Sequence, residues 1–157
     1  MKALITLATI CLLAACGGGS SSSSIFTPPS VNAAAFTNAN VTGGYAFGLV
    51  GTSGNLSQVG TGVVTADGNG NFTGGDETVN IGGVVSCHAT FTGTYSINAN
   101  GTGTVTLNTV LDAASIAKGC IVTGPIPNSL AIASGGATII LSSQGPGGTL
   151  LATATRQ

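Results

Sequence analysis

Residues 85–97 read VSCHATFTGTYSI, and the side chains separate cleanly by parity. Odd positions carry Val85, Cys87, Ala89, Phe91, Gly93, Tyr95 and Ile97, whereas even positions carry Ser86, His88, Thr90, Thr92, Thr94 and Ser96. A helix places neighbours 100° apart and cannot produce this separation; a strand with one face on a core and the other toward water produces it directly. Residues 103–107 (GTVTL) continue the alternation, and Asn98-Ala99-Asn100-Gly101 between the two runs supplies the Asn and Gly residues of a tight hairpin.

Working outward, residues 59–66 and 72–81 form a second hairpin around Asp67-Gly68-Asn69-Gly70-Asn71, whose glycines and asparagines tolerate positive φ. The alternation slips between Phe72 and the pair Val79 and Ile81, which predicts a bulge at Gly74-Gly75. Further strands are expected at 45–51, 120–123, 130–133, 138–142 and 150–155. One short helix is expected over 112–118, opening at the N-cap residue Asp112 and stopping at Gly119. About eight short strands joined by tight turns make an all-β domain. A small antiparallel β-barrel is preferred, because closure removes the edges that a chain with only 4% charged residues has few means to protect. A β-sandwich is the alternative, and periodicity does not separate the two.

Charge also limits function. Without Lys2, the chain carries Lys118 and Arg156 against Asp67, Asp76, Glu77 and Asp112, a formal −2. Two scattered cations cannot supply the counterion release on which nucleic-acid binding depends, so no nucleic-acid partner is expected.

The amino terminus reads as an address. Met1-Lys2 precedes an apolar run at 3–13 (ALITLATICLL) that is too short to span a bilayer and has the form of a signal-peptide core. It ends in Leu13-Ala14-Ala15-Cys16, which resembles the lipobox of bacterial lipoproteins. That resemblance implies removal of residues 1–15, attachment of diacylglycerol to the Cys16 thiol and acylation of the freed amine. Such multiple chains anchor a protein to a membrane durably. Gly17, with no aspartate following the cysteine, implies by the same resemblance sorting to the outer membrane. The non-lipidated alternative is cleavage at an Ala-x-Ala-like site. Residues 16–40, opening with GGGSSSSS and including Pro28-Pro29, are expected to form a tether, and 41–157 the β domain.

Gly44-Tyr45-Ala46-Phe47, the 65–71 segment TADGNGN, Phe91-Thr92-Gly93-Thr94-Tyr95 and the terminal ATATRQ also resemble a family of Gly/Thr-rich secreted and lipoprotein β domains of environmental bacteria. Its shared motifs are turns and strand starts; it implies the fold and no activity.

Candidate sites are few. Cys87 and Cys120 are the thiols left after maturation, and export to an oxidising compartment makes a disulfide between them the expected state, with buried free thiols as the alternative. His88 reads as a solvated strand histidine: Cys87 and His88 face opposite ways and cannot share a zinc ion. Asp67 to Asn71 opens like a calcium loop but has Phe72 and Thr78 where glycine and glutamate belong, so it reads as a turn. Adjacent Asp76 and Glu77 point to opposite faces, which prevents joint acid–base work, and both read as solvated or edge-protecting charges. Asp67 or Asp112 with His88 and a serine lacks a Gly-x-Ser-x-Gly elbow. No catalytic residue, cofactor or metal is therefore expected. The expected role is a non-enzymatic structural or interaction role in the cell envelope, partnered with the membrane through lipid. The alternatives are a small-ligand binder of lipocalin type, with Tyr45, Phe47, Phe91 and Tyr95 turned inward, and a hydrolase. A cavity of a few hundred cubic ångströms would favour the binder.

Overall fold

A computed structural model describes residues 35–122, 125–145 and 148–157. The leader, Cys16 and the tether up to residue 34 lie outside the described residues. Eight strands follow one another around a closed antiparallel barrel: β1 Thr42–Ser53, β2 Leu56–Asp67, β3 Asn71–Ile81, β4 Val85–Ile97, β5 Thr102–Leu111, β6 Ile126–Ala133, β7 Thr138–Gly145 and β8 Gly148–Arg156. Each strand pairs with the next, and β1 meets β8 from Tyr45↔Arg156 to Ser53↔Gly148, so no edge remains open. This resolves the choice between barrel and sandwich in favour of the barrel.

The turns form where local chemistry favours them. After β4, Asn98 N–H donates to the Thr102 carbonyl at 2.7 Å and Gly101, at φ +84°, returns to the Asn98 carbonyl. Between β2 and β3, Asp67 Oδ1 accepts the backbone N–H groups of Asn69 (2.7 Å) and Asn71 (3.0 Å), while Oδ2 accepts Asn71 Nδ2 (2.7 Å). These three donors hold the Asp67 carboxyl below its ordinary range, the Asn71 side chain most strongly. The carboxylate organises its own loop as an Asx turn.

The bulge falls at Thr73: Ala66 pairs with Phe72 and Thr65 with Gly74, and the β3–β4 register skips between Phe72 and Gly75. One extra residue reverses the parity of β3, so Phe72 faces inward at one end and Glu77, Val79 and Ile81 face inward at the other. Two glycines complete this wall. A Cβ at Gly62 would run into the Phe47 ring and one at Gly75 into the Phe91 ring, so each aromatic lies over the bare backbone of the adjacent strand. The two rings meet edge to face at 6.0 Å.

One end of the barrel is sealed. Tyr45, Phe72, Tyr95, Val105, Leu130 and Ile139 fill it, with Val41 fully buried beneath a 3-10 turn at Asn38–Asn40. Tyr95 Oη donates to the Val41 carbonyl at 2.6 Å, and Tyr45 Oη donates to the Gly136 carbonyl at 2.7 Å while accepting Arg156 Nη2 at 2.9 Å. Arg156 also donates to the Asn40 carbonyl and stands 5.5 Å from the Tyr45 ring centre. Ordered packing starts before the boundary expected at residue 41: Phe36 packs against the core, its N–H bonds the Ala99 carbonyl, and Asn38 Oδ1 accepts the Ile97 N–H. The reason is that the barrel end needs a plug, and this segment supplies it.

One other expectation changes. Cys120, Ile121 and Val122 are not in a strand, because the disulfide and α1 direct this segment across the barrel end, away from the ladder. The expected helix is present as α1, Ala113–Ala117, with Asp112 Oδ1 accepting the Ser115 N–H at 2.6 Å as its N-cap.

Candidate functional site

Among the described residues the end opposite the plug is open. β5 pairs with β6 only from Thr102↔Ala131 to Leu107↔Ile126, so residues 108–111 have no β6 partner and the wall is interrupted at the mouth. Behind this mouth lies a cavity of about 410 Å³, within the range of small-molecule sites. Leu49, Val79, Ala89, Leu107, Leu141 and Leu150 form most of its wall. Thr52, Gln58, Thr109, Asn128 and Ser143 add neutral polar groups. A narrow apolar extension of about 50 Å³ continues inward to Phe47, Phe72 and Phe91. The four aromatics proposed as an inward set thus divide: Tyr45 and Tyr95 belong to the sealed end, while Phe47 and Phe91 floor the space above it.

Glu77 is the one charged side chain lining this space among the described residues, and it lines both the cavity and its extension. It pairs across the sheet with Ala89 and with Gly62, over which the Phe47 ring lies. It accepts no hydrogen bond from any described side chain or backbone donor outside the strand ladder. Burial raises its carboxyl above the ordinary glutamate range, and the neighbouring Asp76 charge pushes in the same direction. The expectation that Asp76 and Glu77 are both solvated or edge-protecting charges is therefore corrected for Glu77. The bulge at Thr73 turns it into the lumen.

The mouth is bordered by the segment from Asp112 to Cys120, fastened to β4 at several points. Cys87 and Cys120 form a disulfide with Cα atoms 6.0 Å apart, and both line the cavity. His88 N–H donates to Ser115 Oγ at 2.7 Å, and Asp112 N–H to the His88 carbonyl at 3.3 Å. The His88 ring, on the outer face, lies between two carboxylates: Nδ1 is 3.1 Å from Asp112 Oδ2 and Nε2 is 3.0 Å from Asp76 Oδ2. Its side chain is about 41% exposed on the outer face of β4, where a solvated strand histidine is expected, and the two carboxylates hold it in place. The Asp76 hydrogen bond is the main cause that raises the imidazolium pKa, with Asp112 assisting. Hydrogen bonds from Ser115 are the main cause that lowers the Asp112 carboxyl.

This cluster contains His, Asp and Ser without the geometry of a triad. Both ring nitrogens face carboxylates, and Ser115 Oγ is engaged by the His88 backbone N–H. No ring nitrogen is left to take a proton from the serine. Among the described residues no group of three or more His, Cys, Asp or Glu side chains is arranged to hold a metal ion. Comparison with family models, with curated proteins and with solved structures returned no match for this chain.

Proposed function

We propose that this chain is a non-catalytic, small-ligand-binding barrel of the bacterial cell envelope, held at a membrane, and at the outer membrane by its sorting signal, through lipid on Cys16. The observation that carries the binding role is the cavity of about 410 Å³ behind an open mouth, apolar over most of its wall and tipped with a few fixed polar groups. A protein whose interior served only to hold its fold would gain by filling that space. Unfilled volume forfeits dispersion contacts and costs stability roughly in proportion to its size. The plug supports the same reading, since it closes one end and makes the barrel a cup. The first described residues lie at the plugged end, where the Phe36 N–H bonds the Ala99 carbonyl.

Isothermal titration of the folded protein with n-octanol, a neutral apolar probe, tests the binding role. Saturable one-to-one heats that vanish when Ala89→Trp fills the cavity are expected. Heats that never saturate, or that survive the filled variant unchanged, refute it. The anchor is checked separately by mass analysis of the native amino terminus, where an unmodified Cys16 or a retained leader overturns it.

A further inference from the structure

We infer that the ligand of this cup is a cationic amphiphile, an apolar body carrying a single protonated amine, with the ammonium group held by Glu77. The inference rests on the binding role proposed above and names the ligand class of that same cavity.

Three observations lead to it. First, the barrel spends its charges sparingly, four acidic side chains in the whole chain, yet turns one half-buried into the cavity, where partial loss of water disfavours the charge until it finds a partner. Second, nothing described in the protein supplies that partner. Lys118 reaches the Ser86 carbonyl on the outside of β4, and Arg156 is committed to the plug at the opposite end. Third, the position is built. The bulge at Thr73 rotates Glu77 inward, Ala89 opposite it on β4 is small, and the Phe47 ring lying over Gly62 on β2 floors the space next to it. With an inward apolar residue at 77 the barrel would close up more tightly, since the walls around it are leucine, valine and alanine.

Neutral ligands do not require this arrangement, and anions are opposed by it. A fatty acid would bring a second carboxylate against Glu77 in a low-polarity space, where like charges repel strongly. An alkylammonium ion offers the complementary charge and up to three N–H donors, and alkylamines remain protonated at neutral pH as lysine does. Gln58, Thr109 and Asn128 line the same cavity and offer neutral oxygens for the remaining donors. The apolar tail then occupies the space bordered by Leu49, Leu107 and Leu141 and reaches toward Phe47 and Phe91. Raised carboxyl pKa at Glu77 is the expected consequence of a charge site awaiting its counter-charge, and a bound ammonium would draw that pKa back down. The other titratable group close to Glu77 is Asp76, which faces out to His88; the disulfide cysteines in the wall do not titrate.

The experiment compares n-octylamine, n-octanol and sodium octanoate, one tail with three head groups, by titration calorimetry on the full chain with its disulfide formed. The amine is expected to bind about tenfold or more tightly than the alcohol, the strength of one charge-assisted hydrogen bond, and the carboxylate more weakly than either. Glu77→Gln is expected to bring the amine to about the affinity of the alcohol, and saturable binding of the alcohol that survives in the variant reports that its pocket is intact. If amine and alcohol bind alike, or if Glu77→Gln leaves the amine preference in place, the ammonium assignment is wrong while the binding role stands. Should none of the three saturate, the binding role falls and this inference with it. Amine affinity should also decline as pH drops through the Glu77 carboxyl titration, with the alcohol's unaffected; parallel declines in both overturn the assignment.

Discussion

Replacing both cysteines of the disulfide by alanine (Cys87→Ala with Cys120→Ala) isolates what the covalent tie contributes. The bridge spans 33 residues of sequence. In the chain-entropy description, closing a loop of that length removes about 12.5 cal/mol/K from the unfolded chain, or about 3.7 kcal/mol at 25 °C. The native side should change little. The segment it fastens is also held by the Asp112–His88 contact, by Ser115 on the His88 N–H and by the Asp112 N–H on the His88 carbonyl, so α1 has reason to stay in place. Both sulfurs are nearly buried, which adds a small loss of packing to the entropic term.

Urea unfolding followed by tyrosine fluorescence and far-ultraviolet circular dichroism provides the assay. With a denaturant dependence of about 2 kcal/mol/M for a domain of this size, the midpoint should fall by roughly 2 M. The dependence itself should steepen, because the released unfolded chain exposes more surface. A midpoint within about 0.5 M of the parent would refute the loop-closure argument, on the same denaturant scale. Loss of amide protection confined to residues 112–122, with the global midpoint unchanged, would mean that the bridge merely fixes the rim.

Three further outcomes follow from the geometry. Gly62→Ala places a methyl group against the Phe47 ring and the Asp76 carbonyl, and should destabilise by about 1–3 kcal/mol in thermal unfolding, because backbone on one side cannot yield. His88→Gln should flatten the dependence of stability on pH above about 6.5. The raised imidazolium pKa makes the histidine's contribution fully present below 6.5 and lost as pH climbs through the folded-state value, and a variant as pH-dependent as the parent there would be inconsistent with the clamp. Glu77→Gln should raise the melting temperature at neutral pH and leave it unchanged in acid. A raised carboxyl pKa confers stability below about 4.5 that is lost as pH rises through the folded value, and glutamine removes that loss.

Much of this architecture was legible in the residues themselves. Parity in the segment Val85–Ile97 marks β4 without error at either end, and the Asn-Gly chemistry at 98–101 marks its hairpin, because both are local consequences of one strand facing a core. Thr, Gly and Val outside these segments extend the strands beyond their expected ends, since ladder pairing carries residues such as Thr42 and Asn108 along once their neighbours are paired. The failures are non-local. Nothing in the chain from Phe36 to Asn40 announces a plug until the barrel end above it exists. His88 could not be seen to stand between Asp76 and Asp112, which are separated from it by 12 and 24 residues. Glu77 is different, because its place was available: Val79 and Ile81 share its parity, and the slip after Phe72 shows that the inward face had changed sides. Reading the acidic pair as surface charge overlooked that one member had to follow the apolar residues inward.

The two ends of the barrel solve different physical problems. At the plugged end, tyrosine hydroxyls, an arginine and a 3-10 turn satisfy each other's polar groups within a filled core, and that redundancy resists local opening. The mouth is held by fewer and more exposed ties. β5 and β6 part after Leu107, and the segment crossing the gap is held by one covalent bond, a hydrogen-bonded serine and a half-exposed ion cluster. Segments with few buried contacts open most readily, so motion should concentrate at this rim, while the floor at Phe47 and Phe91 remains fixed. In the binding role proposed above, a ligand would meet a yielding entrance over a rigid base. In that role, entry and release would run through the β5–β6 gap above the fixed floor, and the disulfide would limit how far the rim can part.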